Sequence, residues 1–363
     1  MWHYKSLKLF MDISTYCNAG CPQCHRTNND NIGKKVDWLP LIQWHLNDFK
    51  KAFPKEQIDN IKEFHFCGTW GDPIMNRDIF EILKYICDTN NYTRVSIDTN
   101  GSLRNEDFWW NIGVAFGERL RVVFAIDGIN QEMHNIYRRY TSLDKILSNM
   151  EILSKTQAKA HSQTIIFKHN ENYIEEIKQL AYAHGSKRHV HVISDRFNNI
   201  YNGVYEGDKR KYKDENGKEF FLERANNKKL KGGSIDGLGM ELSKNVSCRW
   251  ALPRNEVVIN PDGQVLPCCF HANRFFYLRT QTNKEKYEWE MKERFNSYYD
   301  NYIDNLQSYN VFHTPLSKIM KSDFFTETLP KSIQGDNPAK LCIKNCSNRT
   351  ENKHQFRLVN ETA

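Results

Sequence analysis

The chain has 363 residues and a net charge of +7, with 39% hydrophobic and 26% charged residues. This composition is typical of a globular protein and excludes a largely disordered one, and the length indicates more than one domain. No apolar run is long enough to span a bilayer, and the N-terminus lacks the apolar core of a secretory signal, so we expect a cytoplasmic protein.

Short apolar segments alternate with amphipathic ones through the first half of the chain. The pattern predicts strands within 7–14, 61–68, 94–101, 120–128, 163–169 and 188–194 and helices over 36–53, 78–88, 106–116, 142–155 and 173–185. Pro40 is expected in the first turn of the first helix. The alternation predicts a parallel sheet with helical crossovers, either an open doubly wound sheet or a partial barrel. The first loop has no G-x-G-x-x-G, which argues against a dinucleotide fold.

Unusual motifs follow four successive strands at their carboxyl ends. They are Cys17–Cys24, Gly68-Thr-Trp-Gly-Asp-Pro73, Asp98-Thr-Asn-Gly101 and Ala125-Ile-Asp-Gly128. In both architectures ligands bind at this edge of the sheet. The sequence therefore predicts an active site there.

The first loop holds three closely spaced cysteines, Cys17, Cys21 and Cys24, with His25 directly after them. Cys21 to His25 matches the C-x-x-C-H pattern of haem attachment, and Cys21-x-x-Cys24 could be a redox pair. Haem attachment normally occurs outside the cytoplasm, and a redox pair leaves Cys17 without a role. All three thiols together could hold a metal or an iron–sulfur cluster, which is the favoured interpretation. In a 4Fe–4S cluster, three protein ligands leave one iron open to another molecule.

Cys17-x-x-x-Cys21-x-x-Cys24 after a first strand resembles the signature of radical S-adenosylmethionine (radical SAM) enzymes. This resemblance implies an α/β fold, a partial (β/α)6 barrel, with SAM bound to the open iron of a 4Fe–4S cluster. It also implies the reaction, in which an electron enters the sulfonium and a 5′-deoxyadenosyl radical takes a hydrogen atom from the substrate. A flavodoxin- or ferredoxin-type electron donor is the implied partner.

The later strand-end motifs resemble the SAM-binding motifs of the same family. Trp70-Gly71-Asp72-Pro73 is similar to G-G-E-P, whose backbone and acid meet the SAM amino group, and Arg138 or Arg139 stands where relatives place an arginine for the SAM carboxylate. Gln23 replaces a usual aromatic residue, and Trp70, Asp72 and Ala125 are further departures. The SAM-binding residues implied by the resemblance are Gly71, Asp72, Pro73, Thr99, Asn100, Asp127 and Arg138. No catalytic side chain beyond the cluster and SAM is assigned.

A second cysteine set lies in the last third of the chain: Cys248, Cys268, Cys342 and Cys346. Asn260-Pro-Asp-Gly263 predicts a hairpin turn, which places Cys248 and Cys268 on or beside one hairpin. Four thiols can ligate a 4Fe–4S cluster completely, and a structural zinc site is the alternative. The spacing Cys248-x14-Gly263-x4-Cys268 resembles the opening of the SPASM/twitch auxiliary-cluster domain. Cys269 could replace Cys268, but the glycine spacing favours Cys268.

We expect a radical SAM barrel over 1–197, a connector or flap over 198–245, a smaller α+β twitch domain over 246–350 and a tail over 351–363. An auxiliary cluster with four protein ligands cannot readily bind substrate, so we expect it to transfer electrons. Many members of the class modify peptides or proteins, which makes a peptide the favoured substrate. The first strand begins near residue 7, leaving no room for a leader-peptide-binding domain, so a small-molecule substrate is the alternative.

Another class of function, a non-catalytic zinc or iron–sulfur binding module, remains a further alternative. The basic runs at 209–213 and 228–231 have acidic residues near the first of them. This mixture indicates a solvated surface rather than a nucleic-acid-binding one. Such a surface could also attract an acidic electron-donor protein.

Overall fold

The structure is a computed structural model and describes residues 2–194, 196–198, 208–230, 246–280, 285, 289–290, 299–335, 338–346 and 358–359. Its strands are β1 Leu7–Met11, β2 Thr27–Asn28, β3 Asn31–Lys35, β4 Ile61–Phe66, β5 Arg94–Thr99, β6 Leu120–Ala125, β7 Lys159–Ile166, β8 His189–Ile193, β9 Lys209–Lys213, β10 Glu219–Glu223, β11 Glu256–Ile259, β12 Val265–Leu266 and β13 Leu358–Val359. The helices up to residue 279 are α1 Leu46–Ala52, α2 Lys55–Ile58, α3 Ile79–Thr89, α4 Glu106–Phe116, α5 Gln131–Tyr137, α6 Leu143–Ser154, α7 Ile174–Ala183 and α8 Cys269–Arg279. Short helices follow at Asp300–Asp304, Leu316–Ile319, Leu329–Gln334 and Lys340–Cys346.

The central feature is one open sheet in the order β12-β11-β1-β4-β5-β6-β7-β8-β13. The run from β1 through β4 to β8 is parallel throughout and follows the chain order. Helices connect these strands, which is the arrangement of a partial (β/α)6 barrel and confirms the predicted fold class. All six carboxyl ends therefore meet at one edge, where the predicted motifs lie.

The strands alternate between a core face and a polar face. Leu7, Leu9 and Met11 of β1 are fully buried, and they belong to the same apolar cluster as the buried faces of α3, α4 and α6. The other face carries charged pairs, such as His65 with Asp98 at 3.0 Å. This period of two places apolar side chains under the helices and leaves the opposite face for polar groups.

The predicted helix over 36–53 is wrong for its first ten residues, because the structure begins α1 at Leu46. The hydroxyl of Thr15 donates to the Pro40 carbonyl at 2.7 Å and accepts from the Ile42 amide at 2.7 Å. Trp44 N donates to the Ile13 carbonyl at 3.0 Å. Tertiary hydrogen bonds to the loop after β1 thus hold residues 40–44 in a non-helical conformation although the apolar spacing of the segment is helical.

Two further elements differ from the sequence prediction. Strand β7 begins at Lys159 rather than at 163, because its pairing with β6 starts there, at Arg121 with Lys159. Helix α5, which the pattern did not predict, is capped by the Asn130 side chain accepting from the Met133 amide at 2.9 Å. Asparagine at this position satisfies a backbone donor that the first helical turn leaves open.

The C-terminal region continues the barrel sheet. Strand β11 pairs in parallel with β1, from Lys8 with Glu256 to Met11 with Ile259, and β12 returns antiparallel to β11. Gly263 has φ of +84° in the connecting turn, which confirms the predicted hairpin. The following helices pack on this hairpin, where the Tyr302 hydroxyl donates to the Val265 carbonyl at 2.7 Å.

The segment expected as a connector or flap contains the antiparallel hairpin of β9 and β10. Residues 199–207 and 231–245 of that segment, and most of the tail at 351–363, lie outside the described residues. The Lys213 amide donates to the Asn29 carbonyl at 2.9 Å, so the hairpin lies beside the first cysteine loop. Among the described residues, no helix combines the length and apolarity needed to cross a membrane.

Candidate active site and second cysteine site

The loop after β1 brings Cys17, Cys21 and Cys24 together. A turn in which the Cys24 amide donates to the Cys21 carbonyl at 3.2 Å separates the last two. All three cysteines pack against one apolar cluster, whose buried members include Ile32, Tyr137 and Phe167. The three predicted cysteines thus share one apolar environment at the carboxyl end of β1.

Burial makes the charged forms of Cys17 and Cys21 unfavourable. It raises the pKa of Cys21 to about 11 although Arg138 acts in the opposite direction. Burial also raises the pKa of Cys17, and the Asp72 carboxylate adds to the effect. Thiolates here need a positive partner, and iron supplies one. No three described His, Cys, Asp or Glu side chains gather as the ligands of one metal ion, whereas each thiolate of a cluster binds its own iron.

The motif after β4 is docked on the cysteine loop through its backbone. The Asp72 amide donates to the Tyr16 carbonyl at 2.7 Å. A Cβ atom at Gly71 would overlap the Ser14 carbonyl group, so only glycine fits this approach. The Trp70 amide donates to a carboxylate oxygen of buried Asp12 at 3.1 Å. The backbone of the predicted SAM-binding motif is therefore held against the segment that leads into Cys17.

The Asp72 carboxylate connects two strand ends. It is buried and accepts from the Thr99 hydroxyl at 2.9 Å, the Asn100 amide at 2.8 Å and the Ile74 amide at 3.0 Å. Burial raises the pKa of Asp72, and these hydrogen bonds oppose the shift. The Asn100 side chain also reaches the Cys17 sulfur at 3.9 Å. Asp72 thus fixes Asn100 against the cysteine loop.

Arg138 lies between a carboxylate and a thiol. Its Nε donates to Asp127 at 2.5 Å, and its Nη1 is 3.8 Å from the Cys21 sulfur. Asp127 is fully buried and also accepts from the Ile165 amide at 2.6 Å. Burial opposes the Arg138 charge, but Asp127 and Cys21 outweigh it and raise its pKa well above the usual value. The guanidinium is therefore a fixed positive charge beside the second cysteine.

Two of the four departures from the family pattern, Gln23 and Trp70, make contacts that link distant parts of the chain. The Gln23 side chain is buried and accepts from the Ser194 hydroxyl at 2.8 Å, so it joins the cysteine loop to the end of β8. The Trp70 ring packs 5.6 Å from His25 and 5.1 Å from Phe276 of α8. Trp70 therefore links the first cysteine loop to the C-terminal region.

The four downstream cysteines line one small cavity, as predicted for a common site. Its lining residues are Val246, Cys248, Trp250, Cys268, Phe270, His271, Leu341, Cys342 and Cys346. Cys269 is not among them, which favours Cys268. Burial raises the pKa of Cys346 to about 11 and also raises the pKa of Cys248, Cys268 and Cys342. Four thiols in one apolar cavity match the number of protein ligands of a fully ligated 4Fe–4S cluster, in which each thiolate binds its own iron.

His271 is a member of this cavity that sequence analysis did not identify. It lies three residues after Cys268 at the start of α8, and residues at this spacing share one helix face. Its Nε2 is 3.4 Å from the Cys342 sulfur. Burial lowers the pKa of its imidazole to about 3. The helical spacing from Cys268 was a usable signal.

Comparison with family models gives two matches along the chain. Residues 11–181 match the model of the radical SAM superfamily, and residues 248–347 match that of an iron–sulfur cluster-binding domain, SPASM. The first match contains the loop with Cys17, Cys21 and Cys24. The second extends from Cys248 past Cys346.

Individual proteins give more distant similarities. GTP 3′,8-cyclase of Campylobacter jejuni strain RM1221 is 26% identical over 202 residues, which are 56% of this chain and 60% of the relative. This chain thus spans less than two thirds of the length of the curated relatives it matches.

Two solved structures extend the similarity over nearly the whole chain. Streptococcus suis SuiB bound to precursor peptide SuiA has a TM-score of 0.55 at 12% identity, covering 95% of this chain and 72% of SuiB. Native anSMEcpe with bound AdoMet and Cp18Cys peptide has a TM-score of 0.53 at 13% identity, covering 96% and 92% of the two chains. At such low identities the two structures support the fold alone.

Proposed function

Because this chain belongs to the radical SAM superfamily and is an enzyme that uses 4Fe–4S clusters and SAM, we propose that Cys17, Cys21 and Cys24 hold the SAM-binding cluster. The observation that carries this proposal is the set of polar side chains from three further strand ends around these thiols. Asn100 approaches the Cys17 sulfur at 3.9 Å, and Arg138 approaches that of Cys21 at 3.8 Å. Side chains that donate hydrogen bonds to the coordinating sulfur atoms are expected around such a cluster.

The donor set fits the group it would hold. Burial raises the pKa values of Cys17 and Cys21, which lie with Cys24 against one apolar cluster and near a fixed guanidinium, and this favours a ligand that stabilises thiolate. When bound, the cluster and SAM supply a 5′-deoxyadenosyl radical that takes a hydrogen atom from the substrate. Ile32, Tyr137 and Phe167 are buried against the cysteines, and we propose that these apolar side chains limit the access of water to this step.

Arg138 is proposed to orient the SAM carboxylate. Its guanidinium is anchored to Asp127 through Nε, while Nη1 points toward the Cys21 sulfur. A planar guanidinium held on one side can pair with a carboxylate on another. The remaining proposed SAM contacts are the backbone around Gly71 and Pro73, together with Thr99 and Asn100, which Asp72 holds in place.

The second cluster is proposed to be held by Cys248, Cys268, Cys342 and Cys346. Their common cavity is lined mainly by apolar side chains, which favours an electron-transfer site over a substrate site. Four protein ligands leave no iron open, so the role assigned to this site is exchange of one electron with the substrate radical. A peptide or protein modified by oxidation, such as crosslinking or dehydrogenation, is the proposed substrate class.

The open form of the sheet supports a chain-shaped substrate. Among the described strands, the end strands β12 and β13 do not pair with each other, so these strands do not close the barrel. A polypeptide can enter laterally with both its ends outside, whereas a small molecule needs no such opening. The assignment to the peptide-modifying class otherwise rests on the Cys248-x14-Gly263-x4-Cys268 spacing.

A small-molecule substrate is the second proposal. The observation in its favour is the 26% identity to a GTP 3′,8-cyclase over 202 residues. On this proposal a purine nucleotide would be the first compound to test. The two proposals share the SAM cleavage step and differ in the molecule that stimulates it.

The test begins with anaerobic reconstitution, counting of iron and sulfide, and assay of 5′-deoxyadenosine with dithionite. We expect about eight irons per chain, because each 4Fe–4S cluster contributes four. Changing Cys17, Cys21 and Cys24 together to Ala should abolish SAM cleavage and leave about four irons. Cys87→Ala, in α3, is the matched control and should retain both clusters.

SAM cleavage by the triple variant would refute the assignment of the first site. Zinc in place of iron in that variant would refute the electron-transfer role of the second. The substrate classes separate when GTP and precursor peptides are each added to the wild type. A peptide that raises 5′-deoxyadenosine formation and changes mass supports the first proposal, and the same response to GTP alone supports the second.

A further inference from the structure

His271 connects the second cysteine site to a buried tyrosine. The residue is 1% exposed and belongs to the first turn of α8, whose preceding residue is Cys268. Its Nδ1 is hydrogen-bonded to the Tyr299 hydroxyl, and its Nε2 lies 3.4 Å from the Cys342 sulfur. One imidazole thus joins Tyr299 to a proposed cluster ligand.

The direction of these hydrogen bonds follows from the chemistry of the sulfur. A cysteine that ligates iron is a thiolate and can only accept a hydrogen bond. The proton of the neutral ring must then reside on Nε2, which leaves Nδ1 as an acceptor for the Tyr299 hydroxyl. The Tyr299 hydroxyl can donate to Nδ1, so it is compatible with the tautomer that donates to Cys342 and holds the ring in this orientation.

The position of Tyr299 is itself fixed by aromatic packing. Its ring lies 5.2 Å from that of Phe324 and 5.5 Å from that of Tyr302, with centroid distances typical of aromatic pairs. Tyr299 is 1% exposed. A hydroxyl held in this way presents a constant donor to the imidazole.

We propose that His271, oriented by Tyr299, donates a hydrogen bond to the Cys342 sulfur and raises the reduction potential of the second cluster. The inference rests on the proposed function in that Cys342 is assigned there as a ligand. A donor to a coordinating sulfur withdraws negative charge and favours the reduced cluster. The effect makes this site a better acceptor for an electron from a substrate radical.

The test is a redox titration of the second cluster, monitored by electron paramagnetic resonance. It uses the full-length variant in which Cys17, Cys21 and Cys24 are all changed to Ala. His271→Leu should lower the reduced-to-oxidised ratio at a fixed potential by about tenfold, which is about 59 mV for a one-electron couple. His271→Gln keeps an N–H donor and should restore most of the ratio. Tyr299→Phe should shift the ratio in the same direction as His271→Leu but by less, because the ring can then adopt the other tautomer.

Two matched controls separate the hydrogen bond from general disturbance of the core. Tyr302→Phe removes a neighbouring hydroxyl that donates to the Val265 carbonyl instead. His189→Leu removes a histidine bonded to Ser162 and Thr164 far from this cavity in the fold. Neither control should change the potential.

The outcomes distinguish failure of the second-cluster assignment from failure of the role proposed for His271. Zinc or no metal in the background variant refutes the second cluster and with it the proposed function of that site. A cluster whose potential is the same with His271, Leu or Gln refutes this inference alone. If the background variant does not accumulate, the titration is made on the two-cluster protein with SAM, which perturbs only the first signal. If the His271→Leu variant of that protein has the same second-cluster potential as the protein with His271, the inference is refuted.

Discussion

Arg138 is the positively charged residue that lies between a carboxylate and a cysteine sulfur of the first site. It pairs with fully buried Asp127 and approaches the Cys21 sulfur. Arg138→Lys keeps the charge but loses the planar guanidinium, so we expect SAM cleavage to fall by about ten- to a hundredfold while the iron content stays unchanged. SAM affinity and the rate of 5′-deoxyadenosine formation are the measurements.

The adjacent arginine supplies the control for that substitution. Arg139 lies 3.9 Å from the centroid of the Phe220 ring in the β9–β10 hairpin. Arg139→Lys should therefore change SAM cleavage by less than Arg138→Lys. Equal losses in the two variants would show that the position of Arg138 beside Cys21 has no special role.

Asp12 gives the first site a dependence on pH. Burial raises its pKa to about 7, although hydrogen bonds from Trp70 and Cys67 oppose the shift. Since an unfolded aspartate has a pKa of about 3.9, the folded protein binds an extra proton between these values. The free energy of unfolding should therefore fall as pH rises from about 4 to about 7, by at most about 1.4 kcal/mol per pH unit.

The variant Asp12→Asn removes this titration. It should be more stable than the wild type above pH 7, and the difference should shrink as pH falls and disappear toward about pH 4. Apparent melting temperatures of the anaerobic proteins across this range are the measurement. Parallel curves for the two proteins would contradict the assigned pKa of Asp12.

Single residues were predicted from the sequence wherever a short motif contained them. All seven proposed cysteine ligands lie in two groups, and Asp72, Asn100, Asp127 and Arg138 surround the first. The roles of Asp12, Gln23 and Tyr299 were not predictable. Their partners lie in distant parts of the chain, and local spacing carries no information about such contacts.

At the scale of elements, the loop after β4 depends on the close approach of Gly71 to the Ser14 carbonyl. Gly71→Ala would force the motif away from the cysteine loop at a cost of about 1–3 kcal/mol. We expect SAM cleavage to fall by about tenfold or more, because each 1.4 kcal/mol is a factor of ten, while the second cluster keeps its iron.

Gly68→Ala, in the same loop, is the control. A Cβ atom there would lie 3.1 Å from the Gly71 carbonyl oxygen, a contact that a small shift relieves. This variant should retain most of its SAM cleavage activity. If Gly68→Ala were as inactive as Gly71→Ala, general loop disturbance rather than the contact with Ser14 would explain both.

The elements show where sequence patterns succeed and where they fail. Apolar spacing predicted β4, β5, β6, α3, α4, α6 and α7 closely, because each buries one regular face. The segment before Leu46 has the same spacing but is not helical, since Thr15 and Ile13 hold it through hydrogen bonds. Tertiary contacts override propensity in such segments.

At the scale of the whole molecule, one sheet carries both cysteine sites. Strand β1 leads into the loop with Cys17, and neighbouring β11 leads through the Gly263 turn to Cys268. The sequence predicted the hairpin but not its parallel pairing with β1, because a contact between residues so far apart in the chain leaves no local pattern. The shared sheet fixes the relative position of the two sites, which the proposed electron transfer through a common substrate would require.

This shared sheet leads to a prediction about separating the two regions. Residues 1–245 would lose β11, which pairs with β1 from Lys8 to Met11, and the Pro261 carbonyl, which accepts from the Trp44 indole at 2.7 Å. The exposed β1 edge and the uncovered apolar surface should make this fragment aggregate.

The matched control is residues 1–350, which keep β11 and β12 and lose only β13 from the sheet. Size-exclusion chromatography and urea unfolding followed by circular dichroism are the measurements. The control should be monomeric or in the same oligomeric state as the full chain, and it should unfold cooperatively. A monomeric 1–245 fragment with a cooperative transition would instead show that the barrel folds without β11, and that pairing along β1 serves to place the second cluster rather than to stabilise the first region.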